Sequence, residues 1–192
     1  MADGRSDAPH EAMLQPILAR ASEPLTQESA VELSRGSSYF LSGVMQGAKA
    51  DGDGVEGTVN QDYRGQLKAA ILSADSSASI IEPWDLVGAF VKETYAEGTP
   101  QSDMFRDDAH VAQAFGICVD AAAKADVVIS YLPEASMGSA VELHAAHQAG
   151  RKILVVAPGS MAGNWVVRSY SNQTFQSIAD AGEFLKGCLS AA

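Results

Sequence analysis

Positive charge is scarce in this chain: 13 Lys and Arg face 24 Asp and Glu, a formal net charge of -11 over 192 residues, with a pI near 4.6. So acidic a surface repels phosphate backbones and anionic headgroups, which excludes a general affinity for nucleic acid polymers or membranes. It does not exclude a small anion held by backbone amides. Cysteine is also scarce. Cys118 and Cys188 stand far apart with no partner spacing, which argues against a disulfide framework or a zinc site and fits a reducing cytoplasm. No apolar run is long enough to span a bilayer and no signal peptide is visible, so the expectation is a soluble cytoplasmic protein. No internal repeat occurs. What is present is 46% hydrophobic residues, enough for one domain with a real core.

Residues 1–36 read as an extension, with a loose start (Asp3, Gly4, Ser6, Asp7, Pro9) and short helices expected over Met13 to Ala21 and Thr26 to Leu33. Residues 37–192 form the expected domain. Its strands are Ser38 to Ser42, Ser79 to Ile81, Asp126 to Tyr131, Lys152 to Ala157 and a short last one at Thr174-Phe175. Helices are expected over Asp62 to Ala74, Asp107 to Lys124, Val141 to Ala149, closed by Gly150, and Ser177 to Leu189. Strands alternating with helices imply an α/β fold, a doubly wound, flavodoxin-like or Rossmann-like parallel sheet of about five strands with helices on both faces.

In such a sheet the carboxyl ends of the strands meet along one edge, where ligands bind. That edge gathers Ser42, Gly43, Met45 and Gln46 after the first strand, Trp84 and Asp85 after the second, and Ser136, Gly138 and Glu142 after the third. The segment after Pro158 joins them. Glycine amides can cradle an anion, and a carboxylate can attack an electron-poor carbon. Each residue also has a plainer reading. Glu142 can simply complement a helix dipole from the first turn, Ser136 can form a turn, and Trp84 can pack in the core. Asp51-Gly52-Asp53-Gly54 resembles part of a calcium loop but lacks the closing glutamate, and His144 and His147 have no third ligand, so no metal site is expected.

Tyr39-Phe40-Leu41-Ser42-Gly43, Ala125-Asp126-Val127-Val128-Ile129, Ser136-Met137-Gly138-Ser139-Ala140-Val141-Glu142-Leu143 and Ala149-Gly150-Arg151-Lys152-Ile153-Leu154 together resemble the nucleoside 2-deoxyribosyltransferase family. The likeness is strongest to its hydrolytic branch, the nucleoside 5'-monophosphate N-glycosidases. The resemblance implies a homodimer with shared active sites, no cofactor, and a nucleotide or nucleoside as substrate. It makes Glu142 the nucleophile that attacks the anomeric carbon and Tyr39 the residue that positions it. Ser136, six residues before Glu142, stands where free-nucleoside transferases carry an acid and monophosphate hydrolases a serine. Asn164 falls where a neighbouring subunit contributes a polar residue to the 5' end of the substrate.

Two positions depart from the family. The turn after the first strand carries Met45 and Gln46, with Lys49 just beyond, where monophosphate hydrolases often place arginine. The family's helix aspartate falls on Cys118. Asp120, two residues on and about 200° round an ideal helix, is taken as the catalytic acid, with Asp85 as its substitute. The rival readings are a transferase exchanging bases on free nucleosides, a phosphoribohydrolase of the lysine-decarboxylase-like kind, loosely echoed from Pro133 to Glu142, and a non-catalytic nucleotide-binding module.

Overall fold

A computed structural model describes residues 31–44, 61–100 and 103–190. The expected helices at Met13 to Ala21 and, up to Ala30, at Thr26 to Leu33 lie outside these, as do Met45, Gln46, Lys49 and the Asp51 to Gly54 loop. Val31 onward forms one compact unit. Within it, Leu33 is buried in the core and Arg35 Nη2 donates to the Leu189 carbonyl at 3.0 Å.

Five strands form one sheet: β1 (Ser38–Gly43), β2 (Ser79–Ile81), β3 (Val127–Tyr131), β4 (Lys152–Val156) and β5 (Gln173–Phe175). Their spatial order is β2-β1-β3-β4-β5 and every pairing is parallel. The β-branched runs of β3 and β4 suit strands covered on both sides. Side chains alternate across the sheet and build two cores. Tyr39, Leu41, Val127, Ile129 and Leu154 pack under α1 (Asp62–Ala74) and α6 (Ile178–Ser190). Phe40, Val128, Ile153 and Val155 pack on the other face, against α3 (Asp108–Lys124), α4 (Met137–Gln148) and α5 (Trp165–Tyr170). The doubly wound, flavodoxin-like fold is thus observed, with the strand order reversing between β1 and β3. A reversal of this kind opens a crevice at the carboxyl ends of the two strands.

Three helical segments were not foreseen. Pro83–Thr94 is a full helix, α2, with proline in its first turn, a position proline favours because it needs no amide donor there. A 3-10 turn spans Gly159–Gly163 and α5 follows it. A fourth difference matters for the site: α4 begins at Met137, four residues before the expected start. Ser136 is therefore its N-cap, and Glu142 sits in the second turn, not the first.

The link from α2 to α3 is pinned by an aromatic group. Phe105 adopts φ 61, which few side chains other than glycine tolerate, and its amide donates to the Tyr95 hydroxyl at 2.9 Å. The Tyr95 hydroxyl in turn contacts His110 Nδ1 at 3.0 Å.

Candidate active site

The buried stripe of α4 is Ser139, Glu142, Leu143 and Ala146, at helical spacing. A carboxylate thus occupies a core-facing position, and Glu142 is only 5% exposed. Across from it, Ser42 is the penultimate residue of β1 and faces the same side as Phe40. Its hydroxyl donates to Glu142 Oε2 at 2.5 Å. Burial pushes the Glu142 carboxyl up to about 7, against the opposing pull of the Ser42 hydrogen bond and the Arg64 charge. At neutral pH the group is poised between acid and carboxylate.

Arg64 repeats the pattern from the other layer. The buried stripe of α1 is Tyr63, Arg64, Leu67 and Ile71, so a guanidinium also lies on a core-facing position. β2 ends opposite Phe40, and the carbonyl of Leu41, one residue further along β1, accepts from Arg64 Nη1 at 2.8 Å. Arg64 Nε donates to Gln61 Oε1 at 2.8 Å, and Gln61 Nε2 to the Val44 carbonyl at 2.9 Å. The guanidinium carbon stands 5.1 Å from the Tyr63 ring centroid. Arg64 Nη2 is buried with no hydrogen-bond partner among the described residues. No direct salt bridge joins Arg64 to Glu142, but its charge favours the ionised carboxylate.

Tyr63 closes the end of β1. Its ring stacks on Tyr131 with centroids 4.8 Å apart. A Cβ on Gly43 would lie 2.8 Å from Tyr63 Cζ, so the close approach requires glycine there. Burial, with a contribution from the Glu142 charge, raises the Tyr63 hydroxyl to about 12. Ser130, which pairs with Ser42 across β1 and β3, and Ser139 both bury hydroxyls that lack a partner among the described residues. Cys118 is buried nearby on α3, and its thiol is raised to about 11 by burial and then by the Glu142 charge.

The expected site residues separate into two groups. Ser42, Gly43 and Glu142 come together at the end of β1, and Ser136 and Gly138 lie at the start of α4 along the same edge. Ser136 Oγ accepts from the Ser139 amide at 3.3 Å, which leaves its own proton free to donate. A Cβ on Gly138 would meet Phe115 at an ordinary 3.6 Å, so no steric need for glycine arises there. Trp84 is 45% exposed in the first turn of α2, which removes the core-packing alternative, and Asp85 beside it is exposed. Asn164 caps α5, accepting from the Val166 amide at 2.9 Å.

Tyr39 and Asp120 are placed elsewhere. Tyr39 alternates onto the α1 and α6 side, opposite the face Glu142 packs on, and its hydroxyl is buried without a partner among the described residues. It cannot touch the carboxylate it was expected to position. Asp120 is 74% exposed on α3 and pairs with Lys124 at 3.7 Å. The residues sequence reasoning missed are Arg64 and Tyr63. The signal for Arg64 was there: a charged residue in register with Leu67 and Ile71 on an otherwise apolar stripe. A cavity of about 320 Å³, lined by Leu33, Arg35, Asp126 and Lys152 among others, lies at the amino ends of β3 and β4, away from Glu142. Among the described residues no cluster of His, Cys, Asp and Glu could hold a metal, and no helix is long and apolar enough to cross a membrane.

No protein-family model matches the sequence, and no curated protein is significantly similar to it. Solved structures do share the fold. A conserved protein from Enterococcus faecalis superposes with a TM-score of 0.50 at 15% identity, covering 79% of this chain and 98% of its own. A 2-deoxyribosyltransferase from Bacillus psychrosaccharolyticus gives 0.49 at 14% identity, with 76% and 90% coverage. A CMP N-glycosidase from Clostridium botulinum gives 0.42 at 13% identity, with 77% and 96% coverage. The first of these bears on the fold alone, and none of them on activity.

Proposed function

We propose that this chain is an N-glycosidase of the nucleoside 2-deoxyribosyltransferase-like kind, which releases the base from a nucleoside 5'-monophosphate through Glu142. The observation that carries the reading is a carboxyl on the buried face of α4, beside the β1/β3 reversal and hydrogen-bonded by Ser42. An ordinary packing position rarely has use for a group so costly to bury. A nucleophile does, because low dielectric strengthens its attraction to an oxocarbenium-like transition state.

In this mechanism ionised Glu142 attacks C1' as the C1'–N bond breaks, and the bond's electron pair leaves with the base. Water then adds to C1', the ester to Glu142 opens, and sugar 5-phosphate departs. Ser136 donates its free hydroxyl proton to the 5'-phosphate at the positive end of α4. The expected homodimer is supported by Met137 and Trp165, 91% and 84% exposed at the starts of α4 and α5. Side chains this apolar and this bare suit a covered surface. Light scattering tests the homodimer.

The decisive experiment incubates the protein with a panel of nucleoside monophosphates and nucleosides, with and without an acceptor base, and follows free base by chromatography. Release from monophosphates without acceptor supports the reading. Turnover of free nucleosides only when an acceptor is present supports the transferase. The same 5% exposure of Glu142 favours a second reading, a buried polar network in a non-catalytic module. That reading requires no turnover of any substrate by the wild type.

A further inference from the structure

With Asp120 facing solvent and Cys118 a buried thiol, neither position on α3 serves the departing base, and Asp85 is exposed on α2. Arg64 offers what they do not. Arg64 is only 4% exposed, and its guanidinium is fixed by hydrogen bonds to Leu41 and Gln61. Its Nη2 carries protons that no described residue accepts. A buried donor left open at the cost of a lost hydrogen bond points to an acceptor supplied from outside the chain. The guanidinium holds the Leu41 carbonyl, and the next residue of β1, Ser42, donates to Glu142. Arg64 comes from α1, whose Lys68 pairs at 3.6 Å with Glu82 just past the end of β2, whereas Ser136 caps α4, the helix that follows β3. A sugar held over Glu142 with its phosphate at Ser136 therefore has its base on the Arg64 side.

We propose that Arg64 is a catalytic residue that receives the departing base, its Nη2–H donating to a carbonyl oxygen or ring nitrogen of that base as C1'–N breaks. This assignment rests on the N-glycosidase reading. The electron pair of the broken bond moves onto the base and spreads to the acceptor facing Nη2, where the fixed cation stabilises it. No proton leaves Arg64, whose guanidinium stays charged. The base nitrogen is protonated by solvent, and the water that later opens the glycosyl ester returns one proton to solvent. The gain comes from a donor already in place, as in an oxyanion hole. It also defines the substrate class: bases bearing an acceptor beside the glycosidic nitrogen, as both pyrimidines and purines do.

The test compares Arg64→Met with wild type on two leaving groups, the natural base of the best monophosphate and 4-nitrophenolate on the same sugar 5-phosphate. Nitrophenolate carries its own charge and needs no donor. Loss of base release by about 10²–10³-fold, with nitrophenolate release kept within about threefold of wild type, is the expected result. Equal losses on both substrates, or undiminished base release, would overturn the assignment. Should the Met variant not fold, Arg64→Lys carries the test, since it keeps the charge but loses the fork: the same leaving-group selectivity is expected and equal losses again refute it. A wild type inert toward both substrates refutes the N-glycosidase reading itself, and the assignment with it.

Discussion

Ser42 and Glu142 stand 100 residues apart in the chain, yet the hydroxyl of one donates to the carboxyl of the other at 2.5 Å. The bond ties the end of β1 to the second turn of α4 and favours the ionised form of a group that burial otherwise neutralises. Ser42→Ala removes that opposition. The Glu142 carboxyl then rises beyond about 7, and the acid limb of kcat/KM moves to higher pH by about one unit, the equivalent of one hydrogen bond to a charged group. Activity at pH 6 falls more than activity at pH 8.5. A pH–rate profile of the two proteins checks this, and an unmoved acid limb contradicts it.

The same carboxyl limits stability. Its folded value, about 7, lies above the ordinary 4.5. Below pH 4.5 both folded and unfolded chains hold the proton, and the stabilisation that the raised value provides is complete. As pH rises toward 7 the unfolded chain ionises first, and that stabilisation is lost through the folded value. By linkage the loss is about 3 kcal/mol once complete. Glu142→Gln cannot ionise and keeps the shape. It is expected to abolish turnover, to match the wild type in stability at pH 4, and to exceed it by up to about 3 kcal/mol at pH 8. Urea unfolding at the two pH values measures the difference. Equal stability at both would mean the carboxyl is well hydrated in the folded chain.

The sheet was legible because its strands announce themselves. Val127 to Ile129 and Ile153 to Val156 are apolar runs between polar breaks, and all five strands fall within a residue or two of their expected places. α1 was legible to the residue from the spacing of Tyr63, Leu67 and Ile71. The start of α4 was not, because Ser136 and Ser139 both look like caps and only the fold selects between them. The site was legible where it depends on strand ends, as with Ser42 and Gly43. It was illegible where it depends on which face a side chain takes. Tyr39 and Ser42 are three apart on one strand, so they point to opposite sides of the sheet, and alternation alone already separates them. Arg64 was overlooked because a lone arginine on a helix reads as solvated until the stripe it shares is traced.

Asp120 and Tyr39 supply a paired control. The exposed Asp120–Lys124 pair contributes at most about 1 kcal/mol, and nothing in the site contacts it. Asp120→Asn should leave kcat and KM within about twofold and stability within about 0.5 kcal/mol. Tyr39→Phe removes a hydroxyl that is buried without a partner among the described residues. Removing such a group relieves a desolvation cost, so stability is expected to hold or rise by about 1 kcal/mol, with turnover unchanged. Steady-state kinetics on both variants decide the matter. A hundredfold loss in either would restore that residue to the catalytic machinery.

Ser136 offers the sharpest separation of phosphate recognition from folding. As N-cap of α4 it accepts from the Ser139 amide, and aspartate caps as well as serine does. Ser136→Asp therefore keeps the helix and its start, and the melting temperature should move by no more than a degree or two. What changes is charge at the point where the 5'-phosphate is expected. A hydroxyl that can donate becomes a carboxylate that only accepts and repels a dianion. The kcat/KM for a nucleoside monophosphate should fall by about 10²-fold or more, close to the 3 kcal/mol of a lost charged hydrogen bond. The free nucleoside, which brings no charge, should be turned over at least as well as by the wild type. Measuring both substrates on the one variant yields a ratio that no general damage to the protein can imitate. If the two fall together, the phosphate is held elsewhere along the sheet edge.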